Sequence, residues 1–203
     1  MGEPALAHHG LQRNGTNFLN LALLECGIEP VNSGSLQAGD LRHKHTRWYP
    51  NSPPTFVRTF SASVPLPTDA EELNEVAGFP EGTVHIVVKK ARLAAVTSLA
   101  NWGLRVGWFA SRTEAISSLA EIARDFDDYY QFWATLHSRS PNMVQLVLIE
   151  DVESAEILLA TLEALGFKRE SRRDKFSYPA VPVSPRDRRK EFSLGEVSQV
   201  LGS

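Results

Sequence analysis

Several things are scarce in this chain. Its 203 residues include a single cysteine, Cys26, which rules out an intramolecular disulfide and removes any pointer to an oxidising compartment. No apolar run approaches the ~20 residues of a membrane span. The first residues lack a basic region leading into an apolar one, and Leu6 stands where a myristoylation motif needs Ser or Thr. The expectation is a cytoplasmic protein with no membrane span. Positive charge is not in excess: 21 Lys and Arg against 24 Asp and Glu leave a net charge of −3. No global field attracts nucleic acid, so any anion site must be a local concentration of cations. No carboxylate or cysteine lies at ligand spacing from His8 and His9, so no metal site is expected. There is no internal repeat and no clean linker, and a single domain over residues 1–203 is expected.

What is present begins with Ala5-Leu-Ala-His-His-Gly-Leu-Gln-Arg-Asn-Gly-Thr-Asn-Phe-Leu19. A short apolar strand runs into a glycine-containing turn that opens an apolar helix. The spacing Gly10-x4-Gly15 is that of a phosphate-binding loop, in which backbone N–H groups and a helix N-terminus face an anion. The lysine and hydroxyl that follow the second glycine in a magnesium-dependent NTPase are missing. Thr16 and Asn17 follow instead, and Arg13 supplies a cation from within the loop. That combination suits an anionic nucleotide held without an essential metal.

Further along, Ile28–Val31 reads as a short second strand, and Asn32–Asp40 as a loop. A cationic cluster, Arg42-His-Lys-His-Thr-Arg47, follows. Residues 50–67 carry five prolines and read as an irregular surface excursion. A helix is expected over Asp69–Ala77 with Thr68 or Asp69 as its cap. Val84–Val88 is a strand buried on both faces, Leu93–Trp102 a helix, and Glu114–His137 one long amphipathic helix. Met143–Ile149 is a third strong strand, followed by Glu150 and Asp151. A helix over Glu153–Leu165 is closed by Gly166, and Phe167–Arg173 reads as a last strand or extended turn. A Pro- and charge-rich tail starts at residue 179, with a final helix over Leu194–Leu201. Alternating strands and helices predict an α/β three-layer sandwich with a mostly parallel central sheet of four to five strands. Its ligands would gather beyond the C-terminal strand ends.

On that edge, Lys90 ends a buried strand and Ser98 follows eight residues later on the next helix. Such a pair can converge on one phosphate group, though a solvated strand end is the commoner meaning of such cations taken alone. The loop and this pair together resemble the PAPS-dependent sulfotransferase family of bacterial type, over about residues 5–165. Gln12-Arg-Asn-Gly-Thr-Asn-Phe-Leu19 is similar to the family's 5′-phosphosulfate loop. Lys90 and Ser98 match its 3′-phosphate site. Leu146–Val152 resembles a strand ending in a Tyr-Glu-Asp-type motif, and His43-Lys44-His45 falls where bacterial members carry Trp-Lys-His. The resemblance implies a P-loop fold and sulfuryl transfer from PAPS to a hydroxyl or amine of a small-molecule or glycan acceptor, yielding adenosine 3′,5′-bisphosphate and requiring no metal.

By that resemblance Arg13, Asn14, Gly15, Thr16, Asn17, Lys90 and Ser98 hold the nucleotide. Arg13 and Lys44 neutralise the leaving group, and His45, with His43 in reserve, takes the acceptor proton. The family's Asn/Asp-Pro after the strand-end cation is replaced by Ala91-Arg92, which leaves Lys89 and Arg92 open as the 3′-phosphate cation. Two other readings stand beside this one: a nucleotide-dependent kinase-like P-loop enzyme, and a non-catalytic protein binding an anion or partner. Trp102, Trp108, Phe109, Tyr129, Tyr130 and Trp133 are expected in the core rather than in an acceptor pocket. The short basic cluster in an acidic chain argues against nucleic acid as partner.

Overall fold

A computed structural model describes residues 2–34, 36, 39–48, 61–62, 65–170, 173–177 and 191–202. In chain order the elements are β1 (Leu6–His9), α1 (Thr16–Glu25), β2 (Arg47–Trp48), β3 (Ser61–Ala62), α2 (Ala70–Ala77) and β4 (Val84–Lys89). They continue with α3 (Arg92–Val106), α4 (Arg112–Ser117), α5 (Leu119–Arg139), β5 (Val144–Leu148), α6 (Ile149–Val152), α7 (Ala155–Ala164) and α8 (Leu194–Leu201).

The fold is α/β, around a three-stranded parallel sheet in the order β1-β4-β5. Strand residues alternate between two cores because successive side chains leave opposite faces. Leu6, Val84, Ile86, Val88 and Val147 pack with Phe18, Leu19, Leu23, Leu158 and Leu162 of α1 and α7. Ala7, Val87 and Val144 pack with Leu73 of α2 and with Phe126, Tyr129, Tyr130 and Trp133 of α5. A third core joins α3, α4, α5 and α8 through Leu99, Phe109, Ile122, Phe192 and Val197. Of the aromatics expected in the core, Phe109, Tyr129, Tyr130 and Trp133 are buried there, while Trp102 and Trp108 are partly buried against the third core.

The sheet is smaller than the four to five strands expected among these segments, and the reason lies at Ile28–Val31. Pro30 has no N–H to offer a ladder, and the segment makes one backbone bond to β1, from Val31 N–H to Leu6 O at 2.8 Å. The next contact is made by a side chain. Asn32 Oδ1 accepts the His8 N–H at 3.0 Å and Asn32 Nδ2 donates to His8 O at 3.0 Å. A primary amide thereby satisfies both backbone groups that a further strand would have paired. The segment Phe167–Glu170 is likewise not a strand; an isolated antiparallel bridge joins Ser154 and Lys175 instead.

The long helix expected over 114–137 is two helices, because Ser117 and Ser118 interrupt it. Ser117 Oγ donates back to Glu114 O at 2.8 Å, the local side-chain competition that makes serine a poor helix interior. Asp69 caps α2 by accepting the Glu72 N–H, and Ser193 with Glu196 forms a capping box on α8. Within 50–67, Ser61–Ala62 pairs in parallel with Arg47–Trp48; the rest of the proline-rich segment up to residue 64, and the tail over 178–190, lie outside the described residues. Among the described residues no helix is long and apolar enough to cross a membrane.

Candidate functional site

The parallel register sets His9 opposite Val87 and Lys89 opposite Leu148, so the C-terminal strand ends lead into Gly10, Lys90 and Ile149 along one edge. Gly10 must be glycine: a Cβ there would stand 2.7 Å from Val88 O and 2.9 Å from Thr16 Cγ2. The loop then turns through Arg13, in the left-handed region at φ 68°, and Gly15 at φ 96°. A Cβ on Gly15 would meet Ile149 Cδ1 at 2.1 Å, so β5's exit closes directly over the loop. From Gly15 the chain enters α1, and the first helical bond runs from Leu19 N–H to Gly15 O. The amides of Gly15, Thr16 and Asn17 precede it and have no backbone partner among the described residues, as at any helix start.

Asn14 is 1% exposed and is consumed by the fold. Its N–H donates to Leu11 O, its Oδ1 accepts the Lys90 N–H at 3.1 Å, and its Nδ2 donates to Gln12 O at 3.2 Å. It ties the loop to the end of β4 rather than facing outward. The tie sets Lys90 beside Arg13. Burial, then the neighbouring Arg13 charge, lower the Lys90 pKa, against a raising effect of Glu150. Two cations held together in this way favour an anion between them. Arg92, by contrast, is drawn onto α5 by a bidentate pair with Asp127, both bonds at 2.7 Å. Ser98 is half-buried in the second turn of α3, and its hydroxyl makes no hydrogen bond among the described residues. No hydrogen bond joins it to Lys90.

The cationic cluster separates into different roles. Arg42 is held by Asp40. Arg47 is fully buried against Asp125. Lys44 alone of the three cations reaches the loop, its Nζ donating to Asn17 Oδ1 at 2.7 Å, and burial lowers its pKa. The Gly10 N–H donates to Lys44 O at 3.1 Å. His45 Nδ1 lies 2.6 Å from Gly10 O. A carbonyl oxygen only accepts, so Nδ1 carries the proton and Nε2 is the ring's acceptor. His43 is the reverse: its Nδ1 accepts the His45 N–H at 3.1 Å, which commits that lone pair. Burial pushes His45 down to about 3, opposed by its bond to Gly10 and aided by His43, Lys44 and Arg47. It is neutral at neutral pH, and a weaker base in this burial than an ordinary imidazole.

Sequence reasoning passes over four contributors. Asn32 Nδ2 also donates to Arg42 O, which joins β1 to the histidine segment. Tyr130 wedges β1 from β4, its hydroxyl donating to Val88 O at 2.8 Å and accepting from the Leu11 N–H at 3.4 Å. Gln12 is 5% exposed with both amide atoms unpartnered among the described residues. Asp125 is a carboxylate inside the apolar stripe of α5, a signal that was visible and means a buried partner. Among the described residues no cluster of His, Cys, Asp and Glu could hold a metal ion. No protein-family model, curated protein or solved structure matches the chain.

Proposed function

We propose that the chain is a PAPS-dependent sulfotransferase, a P-loop α/β sandwich in which the edge around Gly10–Asn17 takes the nucleotide without metal. The observation that carries the reading is Lys90, tied through its N–H to Asn14 of the loop, beside three helix-start amides with no backbone partner among the described residues, in a loop that lacks the NTPase lysine. The amides of Gly15, Thr16 and Asn17 would bind the 5′-phosphate, and Lys90 with Ser98 the 3′-phosphate. Arg13 would stand at the oxygen bridging phosphorus and sulfur. Asn14 contributes by fixing Lys90 to the loop, not by contact. PAPS supplies a sulfuryl group on a good leaving group. His45 Nε2 takes the acceptor's proton as the new S–O bond forms and the bond to the bridging oxygen breaks. Lys44, released from Asn17, balances charge on the departing phosphate. Negative charge brought in by the nucleotide opposes the cations that add to the lowering of His45, while burial, the larger cause, remains. The small-molecule or glycan acceptor would be a hydroxyl or amine compound. A single buried cysteine, Cys26, is compatible with a reducing cytoplasmic setting.

Calorimetry with adenosine 3′,5′-bisphosphate tests this. Binding should be unaffected by magnesium and should weaken by ~10–100-fold in Arg13→Ala or Lys90→Ala, the worth of one charge-assisted hydrogen bond. Magnesium-dependent binding of ATP instead would favour a kinase-like enzyme. No binding of either nucleotide would leave a non-catalytic anion- or partner-binding protein.

A further inference from the structure

The His43–Arg47 segment has little backbone support of its own. It ends in β2, whose ladder with β3 is two residues long, too short to fix a segment without side-chain anchors. The anchor is on α5, the 21-residue helix behind the sheet. Asp125 and Arg47 are both 0% exposed at their side chains. Arg47 Nε donates to Asp125 Oδ1 at 2.9 Å and Oδ2 at 3.2 Å, and Nη2 donates to Oδ2 at 3.0 Å. The remaining arm, Nη1, donates to His45 O at 3.4 Å. The His45 ring in turn donates to Gly10 O, and Gly10 N–H returns to Lys44 O. A continuous chain of bonds therefore runs from a carboxylate on a rigid helix to the ring of His45 and the first residue of the anion loop.

We propose that Asp125, acting through Arg47, is a positioning residue that holds His45 in its Nδ1–H form, with Nε2 the unprotonated nitrogen. The functional weight of this assignment rests on the reading of His45 as base; the geometric claim does not. Stability alone does not account for the pair. Taking two charges out of water costs about as much as their attraction returns, and apolar residues of similar volume commonly replace such pairs without loss. What an apolar pair cannot do is present a fixed donor to the His45 carbonyl. Arginine suits the task because its fork serves Asp125 with two nitrogens and His45 with a third, and it keeps its charge throughout.

The test uses the full chain with ¹⁵N-labelled histidine. In the parent protein at pH 7.5, two-dimensional NMR should give His45 a protonated Nδ1 and a bare Nε2. The double variant Arg47→Met/Asp125→Leu keeps the volume buried. It should fold, bind adenosine 3′,5′-bisphosphate within about threefold of the parent, and show His45 as a tautomer mixture. Arg47→Lys keeps an ion pair with Asp125 but loses the fork, and should shift the His45 signals in the same direction. The lysine variant also serves where the double variant does not fold. A single Nδ1–H tautomer retained in the folded variants overturns the proposal. Failure of the parent to bind adenosine bisphosphate would remove the sulfotransferase reading, while the tautomer measurement would still decide the positioning claim.

Discussion

Lowering the pH from 8 to 5 puts protons on the unfolded chain that the folded sheet refuses. His8 and His85 are 0% exposed and His9 is 3% exposed. Burial comes first among the causes that lower all three, to about 4 for His8, about 3 for His85 and well below the ordinary value for His9. The packing explains the refusal. Asn74 Nδ2 donates to Thr83 O, so Asn74 Oδ1 faces His85 and accepts from its Nε2–H at 2.9 Å. His85 Nδ1 must then accept from His9 Nε2–H at 3.0 Å, and His85 cannot take a second proton without breaking the relay. His8 Nδ1 donates to Asn32 Oδ1, while Lys44 and His43 nearby add repulsion.

All three folded pKa values are depressed below the unfolded 6.5, so the contribution is full above pH ~6.5 and is lost as pH falls toward the folded values. At pH 6 each histidine costs about 0.8 kcal/mol and at pH 5 about 2 kcal/mol, because the unfolded value alone sets the loss in that window. Three together cost about 6 kcal/mol at pH 5, comparable with the whole stability of a small domain. His45 acts in the same direction. The carboxylates with depressed values, Glu3, Asp40 and Glu196, are lost only as pH falls below ~4.5 and do not enter the window. Urea unfolding at pH 8, 7, 6 and 5 reads the effect directly, with a slope approaching four protons taken up near pH 5, three from these histidines and one from His45. His85→Gln should reduce that slope by about one proton while costing stability at pH 8. Stability unchanged between pH 8 and pH 5 would refute the reasoning.

Two further changes bear on the site's scaffold. Gly15→Ala forces a side chain at φ 96° and pushes Ile149 Cδ1 aside. It should cost about 1–3 kcal/mol in thermal unfolding. Pairing it with Ile149→Ala should recover only the steric share, because the backbone strain remains. Tyr130→Phe strands the Val88 carbonyl and the Leu11 N–H in the core, and should cost about 1–3 kcal/mol. Hydrogen exchange at the Leu11 amide should accelerate more than in β4, which identifies the loop's entry as the place released.

The local elements follow from the sequence because their causes are local. The β-branched run Val84–Val88, the capping signals at Asp69 and Ser193 and the stop at Gly27 each act within a few residues, and the helices and strands they mark are where the pattern puts them. The two serines that split the long helix act locally as well, but the apolar stripe runs through them and hides the break. The glycine spacing of the loop was legible as a motif, but part of what requires it is tertiary: Gly10 by Val88 O as well as Thr16, and Gly15 by its left-handed φ.

Only the tertiary structure decides which polar groups are spent and which are offered. Asn14, Arg42, Arg47 and Arg92 look like equal partners of Arg13, Lys44 and Lys90 in one dimension. In three, Asn14 is used up tying two strand ends, and each of those arginines is claimed by a carboxylate, at Asp40, Asp125 and Asp127 respectively. The fourth strand expected at Ile28–Val31 fails because Asn32 satisfies His8 through a side chain, an exchange no periodicity records. Which histidine has a lone pair to give likewise depends on a carbonyl 35 residues away, Gly10 O, reaching His45 and not His43. Hydrogen-bond satisfaction is a property of the assembled chain, because a donor's partner is whatever the fold brings within 3 Å of it.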